Sequence, residues 1–437
     1  MDTKYEIKSL GLAASGERKI TWVRNNMPLL RALEDKYVDV PQKQKPLDGV
    51  KISLAIHMEA KTAYFCRVLT RAGATVFAMG CNVLSTQDDV AAALARGRAP
   101  SLERHDNGGK AIPGISVFAV HGESQKRYAK HIEMCLSHKP NIIIDDGGDL
   151  VQALHTKNTA LAEEIWGGGE ETTTGVIRLK ALEAEGKLLF PMLAVNNARC
   201  KHLFDNRYGT GQSVWDSIMR NTNLLIATKT VVVAGYGWCG RGIAMRAAAL
   251  GASVIVTEID PVKAMEARMD GYLVMPMMAA APLGDIFITA TGCKDVITFE
   301  HMKLMKNDVV LGNAGHFNVE IDVTTLAEKA KTHYESRKNI ESFIIPRGKR
   351  INVLAEGRLL NIAAADGHPA EILDISFSVQ FHSVMHLVKN HEKLEPRVYD
   401  VSEEIDSIVS NACLKSMGLS IDTLTPEQNS YMKSWQL

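Results

Sequence analysis

The chain shows its first clear pattern at GVKISLAIH (49–57), a short apolar run that predicts a strand ending in His57. The Ala- and Leu-bearing stretch from Glu59 to Ala72 predicts a helix, and ATVFAMG after it a second strand. Strand and helix alternating in this way is βαβ rhythm. STQDDVAAALARG opens with Ser, Thr and Asp before apolar residues, a helix start. ISVFAVHG predicts a third strand. NIIIDDGGDL predicts a fourth, with Asp145 and Asp146 at its carboxyl end, where open parallel sheets bind ligands. A turn satisfying its own amides is the alternative for those two acids. Residues 98–113 interrupt the rhythm with Gly, Pro and charge, and predict an exposed loop.

A second unit begins near Asn223. KTVVVAGYGWCGRGIAMRAAALGASVIVTEIDP reads strand, glycine turn, helix, strand, acid. Gly235, Gly237 and Gly240 form GxGxxG, and Glu258 follows about twenty residues on. With a strand before and a helix after, this predicts a dinucleotide site. The glycines admit a pyrophosphate to the helix N-terminus. Glu258 accepts from ribose hydroxyls and repels a 2′-phosphate, which favours NAD over NADP. GDIFITATG, DVVLGNAGHF and RINVLAEGRLLNIAAADGHP continue the unit. Helical periodicity follows from Glu371 to Leu387. VSEEIDSIVSNACLKSMG predicts an amphipathic helix burying Ile405, Val409 and Leu414. Between the units lies EETTTG, and then Lys201 with Asp205 four residues on. That spacing puts the pair on one helical face, where a plain ion pair is the alternative.

Composition narrows the classes. The chain has 437 residues, enough for two or three domains, and 46% are hydrophobic, enough for folded cores. Fifty basic residues balance fifty acidic ones, so a generally basic nucleic-acid binder is excluded. No apolar run reaches the roughly 20 residues of a membrane helix. MDTKYEIKSLG lacks a signal-peptide core. Seven cysteines without CxxC or zinc spacing read as reduced thiols. A cytoplasmic protein without nucleic-acid or membrane partners is therefore expected.

Taken together, His57-Met58, NVLSTQD (82–88), DDGGDL (145–150), EETTTG (170–175), KHLFDNRYG (201–209), VAGYGWCGRG (233–242), NAGHF (313–317), AEGRLLN (355–361) and DGHP (366–369) resemble one family. It is the S-adenosyl-L-homocysteine hydrolases, or adenosylhomocysteinases. The likeness runs from GLAASG (11–16) to about Tyr431, and the GTGQS-containing form is most similar to the archaeal type.

The resemblance implies an α/β fold. A substrate-binding domain (residues 1–198 plus 370–412) carries an inserted Rossmann NAD-binding domain (210–366). A C-terminal segment (413–437) serves assembly as a homotetramer or dimer. Hinges are expected near 197–211 and 366–371. The implied reaction is oxidation of the substrate's ribose 3′-hydroxyl by resident NAD+. Removal of the 4′ proton, loss of homocysteine from C5′, addition of water and re-reduction follow. It requires no metal. The implied substrate is a small nucleoside thioether.

By the same resemblance, Lys201 and Asp205 stand at the 3′-hydroxyl, with Lys201 taking its proton, and Glu171 grips the ribose. Asp146 and His57 lie near C4′ and C5′, and His316 and Asn206 line the same cavity. Thr172, Thr173 and Thr174 contact the nicotinamide side. Asn206, Gly235, Gly237, Gly240, Glu258, Asn313 and Asn361 complete the cofactor set. His368 gates the adenine.

Several positions depart from the family pattern. HMTxET becomes HMEAKT, so Glu59 and Lys61 stand at the purine edge. An ammonium donates to a carbonyl, which favours a 6-oxo purine, whereas Glu59 restores an acceptor for the adenine amino group. Thr210 replaces a frequent Cys, Ala290 replaces the middle Thr of TTTGC, and Asp366 replaces an apolar residue. The stretch 98–113 is extra. The ending YMKSWQL lacks the longer tail whose Lys and Tyr reach a neighbour's cofactor, so looser NAD binding is expected. Three readings stand: the ordinary hydrolase, a relative acting on another nucleoside, and a non-catalytic paralogue. The second covers S-inosyl-L-homocysteine hydrolysis and 5′-dehydration. Intact Lys201, Asp205, Asp146 and His57 speak against the third.

Overall fold

A computed structural model describes residues 5–98 and 111–435. The chain forms two eight-stranded sheets. The first contains Tyr5–Glu6 (β1), Lys51–Ala55 (β2), Thr75–Met79 (β3), Ser116–Phe118 (β4), Ile142–Asp145 (β5), Gly167–Glu170 (β6) and Met192–Ala194 (β7). The second contains Thr230–Ala234 (β8), Ser253–Thr257 (β9), Leu273–Val274 (β10), Ile286–Thr289 (β11), Val309–Asn313 (β12), Thr332–Arg337 (β13), Ile340–Ile344 (β14) and Arg350–Leu354 (β15). Val398–Asp400 (β16) returns to the edge of the first sheet beside β7.

The second sheet runs β10-β9-β8-β11-β12-β15, then β14 and β13 antiparallel at the edge. Its six parallel strands have the 3-2-1-4-5-6 order of doubly wound dinucleotide-binding folds, as the glycine turn led us to expect. The first sheet repeats the same order in its own strands: β4-β3-β2-β5-β6-β7, flanked by β1 and β16, all parallel. Each sheet thus has a switch point, between β2 and β5 in one and between β8 and β11 in the other. Strands buried on both faces explain the unbroken apolar runs Ile142–Ile144 and Val231–Ala234.

Strand β6, GGGE, has no β-forming side chains, and no apolar pattern announces it. The helix Ala370–Asn390 explains it. A Cβ on Gly169 would lie 2.6 Å from Gln380 Oε1, and one on Gly167 2.8 Å from Leu387. The glycines are there so that this helix can lie directly on the sheet. The amphipathic C-terminal helix is Glu403–Ser416, with Ile405 and Val409 buried and Leu414 half-buried.

Arg98 and Ile112 exchange backbone hydrogen bonds of 2.8 and 2.9 Å. The expected 98–113 loop otherwise lies outside the described residues. No helix among the described residues is long and apolar enough to cross a membrane.

Candidate active site

Residues following strands of both sheets line one cavity of about 1320 Å³. Single small-ligand pockets run to about 300–1,000 Å³, so this one has room for a cofactor and a substrate together. Both switch points open on it. His57 follows β2 and Asp146 follows β5, while Gly235 follows β8 and Ala290 follows β11.

Lys201 is the hub of the polar groups. Its ammonium donates to Asn206 Oδ1 at 2.9 Å and lies 3.3 Å from Asp205 Oδ1 and 3.7 Å from Glu171 Oε1. All four residues are buried. Lys201 and Asp205 share one face as expected, and the turn between them is π-helical, His202–Gly209. Its wider turn brings the fourth and the fifth residue onto one face, so Asp205 and Asn206 both reach Lys201. Asn206 Nδ2 donates onward to Asn196 Oδ1 at 2.9 Å, and Asn196 to Thr173 Oγ1 at 3.0 Å.

The charges follow from burial and proximity. Burial alone would strip Lys201 of its proton, but Asp205, Glu171 and Asp146 outweigh it and hold the ammonium. Burial likewise opposes the Asp205 carboxylate, yet Lys201 and His368 hold it well below the usual range. Glu171 is pushed up to about 8, mainly by burial, with Lys201 opposing and Asp205 reinforcing. Asp205 also accepts from Ser376 Oγ at 2.8 Å and lies 3.1 Å from His368 Nδ1. His368 Nε2 in turn meets Thr210 Oγ1 at 3.2 Å.

A second cluster stands on the neighbouring strand ends. His57 Nε2 is 3.7 Å from Asp146 Oδ2, and His316 Nδ1 is 3.7 Å from Asp146 Oδ1. Cys81, which follows β3, approaches His57 Nδ1 at 3.2 Å and Asp146 Oδ2 at 3.5 Å. Burial lowers His57 to about 3 and His316 to about 4, so both imidazoles are neutral at pH 7. Burial raises Asp146.

The adjacent acids Asp145 and Glu170 do something else. Each is the last residue of its strand, and the two are register partners. Asp145 accepts from the Asp146 and Val151 amides. Glu170 accepts from the Gly147 and Thr172 amides and from the Thr172 hydroxyl. In each pair the first acid ties down the loop and the second faces the cavity.

After β2, Glu59 caps the helix Ala60–Arg71 instead of starting it, and it lines the cavity. Lys61 does not line it. Its ammonium is 2.8 Å from Glu59 Oε2 and donates to the Asp366 carbonyl at 2.9 Å. Asp366 is itself paired with Arg220 at 2.9 Å.

The second sheet's side suits a dinucleotide. A Cβ on Gly237 would have no atom within 4 Å, so an open cradle faces the start of the helix Trp238–Ala249. Glu258 borders the cavity while accepting from the Tyr236, Ile259 and Asp260 amides. Asn361 also lines it, 1% exposed, with its Oδ1 lacking a partner while Nδ2 donates to Ser213. A buried carbonyl without a donor fits a ligand amide. Thr172, Thr173 and Thr174 border the same space, with the Thr172 hydroxyl committed to capping the helix Thr173–Ala184.

Two expected cofactor residues sit elsewhere. Gly240 lies beneath the turn, where a Cβ would come within 1.9 Å of the Gly235 carbonyl, so it permits helix–strand packing. Asn313 is fully buried and points away from the cavity. It binds the Gly315, Phe317 and Gly357 carbonyls and accepts from Thr289 and Gly315, so it shapes the loop bearing His316. Sequence reasoning missed Cys81, Asn196, Ser376 and Gln380. Gln380 donates to Glu171 Oε2 at 2.6 Å. Only Ser376 and Gln380 carried a signal, their spacing of four on one helix.

Comparison with known proteins gives the same picture. Residues 4–162 match the family described as S-adenosyl-L-homocysteine hydrolase, and residues 206–367 match its NAD binding domain. The chain is 51% identical to the S-inosyl-L-homocysteine hydrolase of Methanocaldococcus jannaschii, covering 99% of both chains. It is 50% identical to the adenosylhomocysteinase of Pyrococcus abyssi, covering 99% of this chain and 98% of that one. With that of Aquifex aeolicus it shares 49% over 99% of each. With an NAD-binding unit and a matching hydrolase unit facing one cavity, the chain belongs to the S-adenosyl-L-homocysteine hydrolase family and is an NAD-dependent hydrolase.

Proposed function

We propose that this enzyme hydrolyses S-adenosyl-L-homocysteine to adenosine and L-homocysteine. The observation that carries the reading is Lys201, bound to Asp205, Asn206 and Glu171 in the same cavity as an open glycine cradle. Gly235, Gly237, Glu258, Asn361 and the three threonines would hold NAD, which would supply a reversible hydride acceptor. Glu171 and Lys201 hold the ribose hydroxyls. Because Lys201 is already an ammonium, the 3′-hydroxyl proton passes to Glu171 in its carboxylate form, while Lys201 holds the hydroxyl oxygen. Asp146 and the neutral imidazoles of His57 and His316 take up the 4′ proton and guide water to C5′. Asp205 keeps Lys201 charged and is steadied by His368 and Ser376.

The base end supports adenine. The group presented to the cavity there is the Glu59 carboxylate, an acceptor for an exocyclic amino group, while Lys61 is drawn aside by Glu59 and Asp366. A second reading, S-inosyl-L-homocysteine, rests on the same Glu59 carboxylate, which accepts equally from the N1–H of a 6-oxo purine, with the Lys61 ammonium held against it. Residues 1–198 with 370–412 form the substrate-binding domain in this scheme, with Thr172, Thr173 and Thr174 reaching the cofactor, and 210–366 form the cofactor-binding domain. Residues 413–437, whose helix Pro426–Lys433 buries no side chain in its own chain, pack on a second copy. Product chromatography with each thioether, alongside transient absorbance of reduced cofactor, tests the proposal. Faster turnover of the inosyl compound reverses the base assignment. Absence of any reduced cofactor in a single turnover overturns the mechanism.

A further inference from the structure

The geometry points to a binding site for one thiophilic divalent cation of the zinc class at His57, Cys81 and Asp146, whose occupancy blocks turnover. Cys81 has no part in the reaction above, yet its sulfur lies 3.2 Å from His57 Nδ1 and 3.5 Å from Asp146 Oδ2. One imidazole nitrogen, one sulfur and one carboxylate oxygen all fall within 4.8 Å of one another, and no other such trio occurs among the described residues. Zinc bonds of about 2.0–2.3 Å arranged tetrahedrally place ligand atoms roughly 3.3–3.6 Å apart. The Nδ1–sulfur and sulfur–oxygen spacings fall close to this range, and the nitrogen–oxygen spacing, within 4.8 Å, closes as side chains adjust around the ion.

The three donors stand at the ends of β2, β3 and β5, which are neighbours in the first sheet, so they are fixed before any cation arrives. All three are buried. His57 and Asp146 border the cavity, which leaves a fourth position for water. A thiolate and an imidazole select zinc-class ions over magnesium or calcium. On binding, Cys81 gives its proton to solvent, and the cation takes the lone pairs with which His57 and Asp146 serve the substrate. The other cavity thiols lack such a set: Cys239 meets the Thr210 hydroxyl, and Cys293 is exposed.

Cobalt chloride titrated into the NAD-loaded enzyme is the direct test. The expected result is the strong visible absorption of tetrahedral, thiolate-bound Co2+, saturating at one ion per chain and abolished by zinc chloride. Cys81→Ser weakens binding about tenfold or more, and Cys293→Ser leaves it unchanged. Zinc K-edge absorption of the wild-type enzyme needs no variant and should show one sulfur neighbour. Zinc without a sulfur neighbour, a weak six-coordinate cobalt spectrum, or full binding by Cys81→Ser would overturn the site.

Discussion

Gln380 donates its amide to Glu171 at 2.6 Å across 209 residues of chain. It reaches that carboxylate because Gly169 presents no side chain to the helix above it. One turn earlier on the same helix, Ser376 holds Asp205. A single helix, entered directly after His368, therefore orients both carboxylates around Lys201.

Removing this support should act on catalysis and spare the cofactor. A hydrogen bond to the Glu171 carboxylate, the form that accepts the hydroxyl proton, contributes about 1.5–3 kcal/mol. Gln380→Leu is expected to lower kcat/KM about 10- to 100-fold with bound NAD unchanged, and Gln380→Glu to lower it further by adding a second acid. An unchanged kcat/KM for both variants would show that Glu171 is placed by other contacts.

Glu171 makes the stability depend on pH with a defined sign. Its carboxyl is raised from 4.5 to about 8, so between those values the folded chain keeps a proton that the unfolded chain has released. The stability it contributes is complete below 4.5 and lost as pH rises through about 8. Scanning calorimetry should find Glu171→Gln matching wild type near pH 4.5 and melting above it beyond pH 8. Single-turnover cofactor reduction in the wild type should rise through the same pH, as Glu171 becomes able to accept the hydroxyl proton.

The second and third glycines of the turn separate binding from folding. Gly237→Ala places a methyl in open space, so the apoprotein should keep its Tm while NAD binds far more weakly. Gly240→Ala drives a methyl into the Gly235 carbonyl and should lower the Tm of the apoprotein itself. Overpacking of this kind costs about 1–3 kcal/mol. Isothermal titration with NAD and apoprotein melting measure the two effects independently.

Base selection should divide between Glu59 and Lys61. Glu59→Leu removes the cavity-facing acceptor, and its adenosyl kcat/KM should fall by about 10²-fold or more, since a polar base edge is left unpaired. Lys61→Gln should alter the inosyl rate more than the adenosyl rate. Competition between the two thioethers in one reaction reads the ratio directly.

The sequence by itself determined the α/β class, the dinucleotide unit and most of the residues that meet in the cavity. Strand–helix alternation and glycine spacing are local, and residues at strand ends must gather wherever parallel strands end together. The chain order also showed two acid pairs but could not say which acid faces the ligand. Alternation across the strand decides that, and it is fixed only when β5 and β6 take their register. Tertiary structure alone decided the rest. GGGE becomes a strand because a distant helix presses on it, and the π-helix turns Asn206 as well as Asp205 toward Lys201. Lys61 is pulled from the base edge by a carbonyl 305 residues away. Contacts between segments so far apart leave no periodic trace in the chain, because each is set by packing and not by the residues beside it.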